Sequence, residues 1–318
     1  VGFEHDCGSA GAYHPGDAQV LVLTVVMFRT LFANTTINMI AFAFTAFVSF
    51  LLVPLIVGRY GLTEFGLIML ARIMLPTGAL AIFDFGFSEV ATQAVAAARE
   101  SGNWRRAGRE IAVLAAIAVS VGVLVGALMA IFTLPLTHLF NVPNVHRPDF
   151  AAIILVSGFC FALFLPGMLL DGIVKGFEAF KVLRGVEVVC SVGYGVAALT
   201  IIFMGGAYAW IAYAYIVSML VRAAALGGLS FRYLKGVGMR LQRPDAEARA
   251  HVTRRCRLFA GSKLLGASET QAAPLLIGAL ISPAAVGLYD ISIRFPRFLK
   301  TVLSMLNTAV LPLASRLD

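Results

Sequence analysis

The chain has 318 residues, of which 59% are apolar and only 13% are charged, and its mean hydropathy is +0.88. This balance lies far beyond that of an ordinary soluble domain and indicates an integral membrane protein. The formal net charge of +8 does not indicate a nucleic-acid partner, because the basic residues are not clustered with stacking aromatic residues on one polar face. We therefore expect an all-α membrane protein.

The N-terminal tail, residues 1–33, precedes the first predicted span. Its apolar run Val20–Phe28 is too short to cross a bilayer and ends at Arg29. It has no basic region before it and no small-residue cleavage site after it, so it does not resemble a signal peptide. Two interpretations stay open: Met27 is the natural start, or the run is an interfacial helix on the cytoplasmic surface.

Apolar segments of the length that crosses a bilayer, about 20 residues, recur through the rest of the chain. They predict eight membrane-spanning helices near residues 36–57, 65–87, 110–133, 150–171, 185–206, 208–230, 257–281 and 286–314. The predicted domains are a first six-helix bundle over 34–235, a basic cytoplasmic linker over 236–256, and the start of a second, same-orientation bundle over 257–318.

Basic residues alternate between the two ends of these spans. The connections after the second, fourth and sixth spans are rich in Lys and Arg, whereas the others carry little beyond Arg59 and Arg147. Because Lys- and Arg-rich connections stay on the cytoplasmic side, the pattern predicts a cytoplasmic N-terminus.

A short pattern recurs at an interval of 220 residues. Pro54-Leu55-Ile56-Val57-Gly58 is echoed by Pro274-Leu275-Leu276-Ile277-Gly278, and Pro76 by Pro296 at the same interval. Chance similarity between apolar helices is the alternative explanation. A true repeat would hold six spans and give two halves of the same orientation, as in some secondary transporters. Since the second half then contains only two spans before Asp318, we expect the natural protein to continue for about four more helices.

Neither cysteine nor histidine spacing predicts a metal site, a disulfide or a cofactor. Cys7, Cys160, Cys190 and Cys256 have no paired or ligand-like spacing, and the five histidines all lie outside the predicted spans. No nucleophile-elbow or phosphate-loop motif is present in the sequence either, so no catalytic residue is expected.

Several stretches, in the same order and spacing, resemble those of a known family. They are Asn34-Thr35-Thr36-Ile37-Asn38, Pro54-Leu55-Ile56-Val57-Gly58-Arg59-Tyr60-Gly61, Phe65-Gly66-Leu67, Asp84-Phe85-Gly86-Phe87, Lys175-Gly176-Phe177-Glu178-Ala179-Phe180, and Leu276-Ile277-Gly278 through Ala285-Val286-Gly287-Leu288-Tyr289. On these stretches the chain resembles the polysaccharide flippases (O-antigen or oligosaccharide-lipid flippases) of the multidrug/oligosaccharidyl-lipid/polysaccharide exporter superfamily, which is MATE-like.

The resemblance implies two six-helix bundles around a lumen that opens to one side of a bacterial inner membrane at a time. It implies transport of a polyprenyl-pyrophosphate-linked oligosaccharide for polysaccharide or lipopolysaccharide biosynthesis, with H⁺ or Na⁺ as a coupling ion. A polysaccharide polymerase and glycosyltransferases are the implied protein partners.

Charged residues inside predicted spans are the candidate site residues, because a charge in hydrocarbon needs a partner or a wet cavity. The candidates for a cationic, substrate-binding lumen are Arg72, Arg222, Lys263, Arg294, Arg297 and Lys300. Arginine offers a planar fork that suits a pyrophosphate, and lysine offers a movable point charge. The alternatives are a structural salt bridge for Arg72, an ion pair with Asp290 for Arg294, and snorkelling to the interface for Arg297 and Lys300.

Glu269 is the first candidate for ion coupling, followed by Asp84 and Asp290, because a carboxylate embedded in a membrane can carry a proton at neutral pH. For Asp84, and for Asp171, anchoring of a loop is the alternative.

The sequence leaves three functional hypotheses. The first is the flippase, which is not an enzyme. The second is a cation-coupled drug or small-molecule antiporter of the same superfamily, which a basic lumen disfavours because a cationic drug would prefer carboxylates. The third is a membrane-embedded glycosyl- or acyltransferase, for which the sequence offers no acid/base or metal-binding set.

Overall fold

The computed structural model describes residues 39–75, 78 and 83–314, and the side chains up to residue 303. Over these ranges the chain forms ten α-helices. They are α1 (Met39–Tyr60), α2 (Leu62–Ile73), α3 (Phe87–Ser101), α4 (Trp104–Ile131), α5 (Thr133–Leu139), α6 (Arg147–Gly176), α7 (Phe180–Phe203), α8 (Tyr208–Gly236), α9 (Ala246–Leu280) and α10 (Pro283–Ala314). The predicted all-α membrane class is confirmed. The tail over 1–33, with Val20–Phe28 and Met27, lies outside the described residues.

Five of the described helices, α1, α4, α6, α7 and α8, are long and apolar enough to cross a membrane. The predicted number of eight spans is therefore not reproduced within the described ranges. The predicted seventh and eighth spans are helical, as α9 and α10, but these helices carry several charged residues each.

The predicted second span, 65–87, is the clearest departure. Helix α2 ends at Ile73, and α3 begins only at Phe87. With 12 residues, α2 is about 18 Å long, which is shorter than the hydrocarbon core of a bilayer. Pro76 follows the C-cap residue Met74 by two positions, where proline is common because it cannot continue a helix.

Side-chain caps fix where three of the helices begin. The Asn103 carboxamide oxygen accepts the backbone N–H of Arg106 at 3.2 Å before α4. The Asp245 carboxylate accepts the N–H of Ala248 at 2.8 Å before α9, inside the predicted linker. The Asp84 carboxylate, two residues before the N-cap residue Gly86, accepts the N–H of Phe87, the first residue of α3, at 3.1 Å. These bonds satisfy N–H groups that have no partner within the helix.

Glycine allows the helices to approach closely. A Cβ atom on Gly126 of α4 would lie 2.4 Å from the carbonyl oxygen of Gly158 in α6, and one on Gly66 of α2 would lie 1.8 Å from that of Pro283 in α10. Small residues at such crossings let membrane helices pack backbone against backbone. Helix α6 thereby packs against α3, α4 and α8, and α10 packs against α2.

Candidate functional site

Three cavities lie next to one another between the helices. The arginine cavity, about 380 Å³, lies between α1, α2, α8, α9 and α10 and includes Arg72, Gln271, Asp290, Arg294 and Arg297. The tyrosine cavity, about 290 Å³, lies between α1, α2, α7, α8 and α10. It is lined in part by Ser49, Arg72, Glu187, Ser191, Tyr194, Tyr215, Ser218, Arg222 and Arg294. The two cavities share six lining residues and therefore adjoin, and we refer to the two together as the joined cavities. The shared residues are Thr45, Ser49, Met69, Arg72, Tyr215 and Arg294.

The third cavity, about 190 Å³, adjoins the tyrosine cavity at Met219 and Arg222. We call it the ion-pair cavity, because its wall contains three carboxylates and three basic groups. They are Asp84, Glu89, Asp171, Lys175, Arg222 and Lys263.

Arg72, at the end of α2, faces the first two cavities. Its guanidinium lies over the ring of Tyr215, 4.4 Å from the ring centroid. This is a cation–π contact, which holds a charge in place without neutralising it. Within the described ranges no carboxylate lies within 4 Å of Arg72, so the salt bridge considered from the sequence is not formed there.

Arg294, on α10, is held by groups from two helices. It donates hydrogen bonds to the Ser49 hydroxyl at 2.8 Å and to the Ser49 carbonyl at 3.0 Å, and it forms an ion pair with Asp290 one turn earlier on α10. The Asp290 pairing considered from the sequence is thus present. The side chain also lines both cavities, so the pair lies in the cavity wall and not away from it.

The joined arginine and tyrosine cavities carry an excess of positive charge. Their walls contain four arginines and two carboxylates. The arginines are Arg72, Arg222, Arg294 and Arg297, and the carboxylates are Glu187 and Asp290. In a low-dielectric surrounding, such an excess attracts an anion more strongly than it would in water.

The ion-pair cavity is balanced instead. The Lys263 ammonium of α9 lies 2.7 Å from a carboxylate oxygen of Asp84 and 2.7 Å from one of Glu89. Asp171 of α6 pairs with Lys175 at 2.5 Å and with Arg222 of α8 at 3.1 Å. Asp84 and Asp171 therefore neutralise cations from other helices, and Asp84 also caps α3.

A family model described as polysaccharide biosynthesis protein matches residues 31–318. The chain belongs to this family. A comparison with curated proteins found no match. Together with the apolar helices, membership identifies a multi-pass membrane protein of the polysaccharide biosynthesis family, and it covers all the helices that line the three cavities.

In this polysaccharide biosynthesis protein, two of the candidate residues lie apart from the others. Lys300 of α10 and Glu269 of α9 form an ion pair with each other, and their side chains are 71% and 64% exposed. Neither lines any of the three cavities. The structure thus brings together Arg72, Arg222, Arg294 and Arg297 in the walls of the two joined cavities, and Lys263 and Asp84 in the wall of the adjoining ion-pair cavity.

Several cavity residues of this family member were not predicted from the sequence, notably Ser49, Glu89, Glu187, Tyr194 and Tyr215. A signal existed for part of the set. Glu187, Cys190, Ser191 and Tyr194 recur at the spacing of one helix face, so they form a polar stripe along the otherwise apolar α7. Within the described residues, no group of three His, Cys, Asp or Glu side chains that could hold a metal ion occurs.

Proposed function

We propose that this polysaccharide biosynthesis protein is a transporter that flips polyprenyl-diphosphate-linked oligosaccharide across a bacterial inner membrane by alternating access. In this proposal it has no catalytic residue, and the lipid tail remains in the bilayer while the headgroup passes through the cavities. The N-terminus faces the cytoplasm, and the glycan is used for surface polysaccharide or lipopolysaccharide of the O-antigen type.

The observation that carries the proposal is that Arg72 and Arg294 line the same two cavities inside the helix bundle, the arginine and the tyrosine cavities. Arg72 has no carboxylate partner among the described residues, and Arg294 is positioned by Ser49 as well as by Asp290. A diphosphate is a compact anion with several acceptor oxygens, and it suits two guanidinium groups that line the same cavity.

We further propose that H⁺ or Na⁺ drives the cycle and that Asp84 takes part in coupling. Asp84 is only 1% exposed and shares the Lys263 ammonium with Glu89. A buried carboxylate that loses its cationic partner must be neutralised in another way, since an unpaired buried charge is costly. The exposed, paired Glu269 and the wall residue Asp290 remain weaker candidates for this role.

An antiporter of cationic drugs is the second transporter hypothesis, and the charge of the cavities argues against it. The two carboxylates of the joined cavities, Glu187 and Asp290, are each paired with an arginine. A cationic ligand would meet excess positive charge there.

Binding of a lipid diphosphate to the purified full chain in lipid nanodiscs tests the proposal. We expect undecaprenyl diphosphate to bind more tightly than undecaprenyl monophosphate or a neutral prenol. Its binding should weaken as the salt concentration rises. Equal binding of the three lipids would refute the proposal. Binding of an organic cation such as tetraphenylphosphonium, displaced by neither phosphate lipid, would favour the antiporter.

A further inference from the structure

The tyrosine cavity is lined by three hydroxyl-bearing side chains that do not line the arginine cavity, those of Ser191, Tyr194 and Ser218. In all, six hydroxyl-bearing side chains line the tyrosine cavity, together with the carboxylate of Glu187. They are Thr45, Ser49, Ser191, Tyr194, Tyr215 and Ser218. A wall rich in hydroxyl groups suits a ligand that is itself rich in hydroxyl groups, because each can donate or accept a hydrogen bond.

Two of these hydroxyls are already oriented by the helix backbone. Thr45 donates its hydroxyl hydrogen to the carbonyl of Ala41 at 2.9 Å, and Ser218 donates to the carbonyl of Cys190 at 3.2 Å. Their oxygen lone pairs are therefore left to accept. Ser49 is the opposite case, because its oxygen accepts from Arg294 at 2.8 Å and its hydrogen remains available. The wall thus offers both hydrogen-bond donors and hydrogen-bond acceptors.

The two tyrosines supply an aromatic surface beside the cations. The rings of Tyr194 on α7 and Tyr215 on α8 meet edge to face, with their centroids 5.3 Å apart. Arg72 lies over the Tyr215 ring, and Tyr215 in turn contacts Tyr194, so all three side chains lie close together in this wall. The apolar face of a sugar ring packs against an aromatic ring in the same way as other apolar surface does. A ring bound at Tyr194 would lie directly next to an anion bound at Arg72.

We propose that the tyrosine cavity is a carbohydrate subsite that binds the sugar attached directly to the diphosphate, and that this sugar is uncharged. The inference rests on the proposed function. Arg72 and Arg294 hold the diphosphate, Tyr194 packs against the first sugar ring, and the hydroxyls of Thr45, Ser191 and Ser218 bond its hydroxyl groups. Sugars farther along the chain extend away from this wall and are not selected here.

The charge of the wall supports an uncharged first sugar. Glu187, two helical turns from Tyr194 on the same face of α7, is paired with Arg184 at 2.5 Å, and Arg222 on α8 is paired with Asp171 at 3.1 Å. Arg72 and Arg294 are occupied by the diphosphate in this arrangement. A carboxylate on the first sugar would therefore find no cation among the described residues of this wall that is not already paired with a carboxylate or with the diphosphate, and an unpaired buried charge is costly.

Native mass spectrometry of the purified full chain with a mixture of two lipids tests this subsite. One lipid is undecaprenyl diphosphate, and the other is the same lipid bearing a single N-acetylglucosamine. We expect the sugar-bearing lipid to bind about tenfold more tightly, as a few net hydrogen bonds and one ring contact would provide. The Tyr194→Leu variant should lose this preference, whereas Tyr194→Phe should keep most of it because the ring remains.

Two further variants complete the test. Ser191→Leu fills the cavity without removing a ring, and it should also lose the preference for the sugar-bearing lipid. This variant replaces Tyr194→Leu in the test if Tyr194→Leu fails to fold. Tyr213→Leu is the matched control, because Tyr213 lies on α8 but lines none of the three cavities, and it should behave as the wild type.

The outcomes distinguish a failure of the proposed function from a failure of the sugar subsite. If neither lipid binds, the proposed function fails and the subsite fails with it. If wild type binds both lipids equally, or if Tyr194→Leu and Ser191→Leu keep the full preference, the diphosphate site stands and the subsite is refuted. A lipid bearing a uronic acid should bind less well than the N-acetylglucosamine lipid, and tighter binding would refute the uncharged first sugar.

Discussion

The Lys263 ammonium lies 2.7 Å from a carboxylate oxygen of Asp84, a residue that is only 1% exposed. Lys263 belongs to α9 and Asp84 caps α3, so the contact joins the start of the predicted second bundle to the first. The Lys263→Met variant leaves Asp84 buried without its cation. We expect it to lower the free energy of unfolding by about 3 kcal/mol, measured by titration with sodium dodecyl sulfate in dodecylmaltoside micelles.

The matched control for Lys263→Met is Lys300→Met, which removes the same side chain from an exposed ion pair with Glu269. Exposed pairs contribute little, so its effect should stay below about 0.5 kcal/mol. Adding Asp84→Asn to Lys263→Met should recover part of the loss. Equal stability of Lys263→Met and the wild type would contradict the charged pair.

The long apolar helices could be predicted from the sequence because one property, the length of an apolar run, is enough to recognise them. The positions of their ends were predicted less accurately. Helix α4 begins at Trp104 and not near residue 110, since the basic residues of its first turns broke the apolar run while Asn103 capped the helix earlier. The break after Ile73 was missed because the apolar composition continues across it.

The site was partly predictable for a similar reason. A charged residue inside an apolar segment is easy to recognise in a sequence, so Arg72 and Arg294 were predicted. The residues that contact them were not predicted, because those contacts depend on which helices pack against each other. Ser49 lies 245 residues before Arg294, and no local pattern connects the two. Lys300 was placed in the lumen by its helical spacing from Arg297, but it is exposed and paired with Glu269.

Gly66 is expected to be intolerant of any side chain. A Cβ atom there would lie 1.8 Å from the carbonyl oxygen of Pro283, so Gly66→Ala must separate α2 from α10. Overpacking of this kind costs about 1–3 kcal/mol, which the same micelle titration would detect. Gly58→Ala on α1 is the control, because its Cβ meets nothing within 4 Å, and alanine favours a helix by up to about 1 kcal/mol. Equal effects of the two variants would argue against the close α2–α10 crossing.

Acid should loosen the start of α9. The N–H of Ala248 and the nearby Arg109 guanidinium hold the pKa of the Asp245 carboxyl below its usual range. A lowered pKa means that the stabilisation is present above the unfolded pKa of about 3.9 and is lost as the pH falls through the folded value. Hydrogen exchange of the amides of 246–250 should therefore speed up on acidification, after correction for the intrinsic rate.

Asp245→Asn is the control for that pH effect, since asparagine also caps a helix but does not titrate. Its amides should exchange faster than those of the wild type near neutral pH and show no further acid-dependent step. A step of the same size in both proteins would assign the effect to another group.

Arg72→Ala and Arg294→Ala should abolish surface glycan in cells that depend on this protein, while membrane insertion is retained. The reason is the loss of one wall of the proposed diphosphate site, which should weaken binding of undecaprenyl diphosphate by about tenfold or more for each arginine. The two variants differ in one respect: Arg294→Ala also leaves Asp290 without its partner, so it should lose more stability than Arg72→Ala, whose contact is with an aromatic ring.

Arg59→Ala is the matched control, since Arg59 is exposed and lines none of the three cavities. Glycan display by Arg72→Ala at the level of Arg59→Ala would remove Arg72 from the transport path, and the excess charge of the joined cavities would then need another explanation.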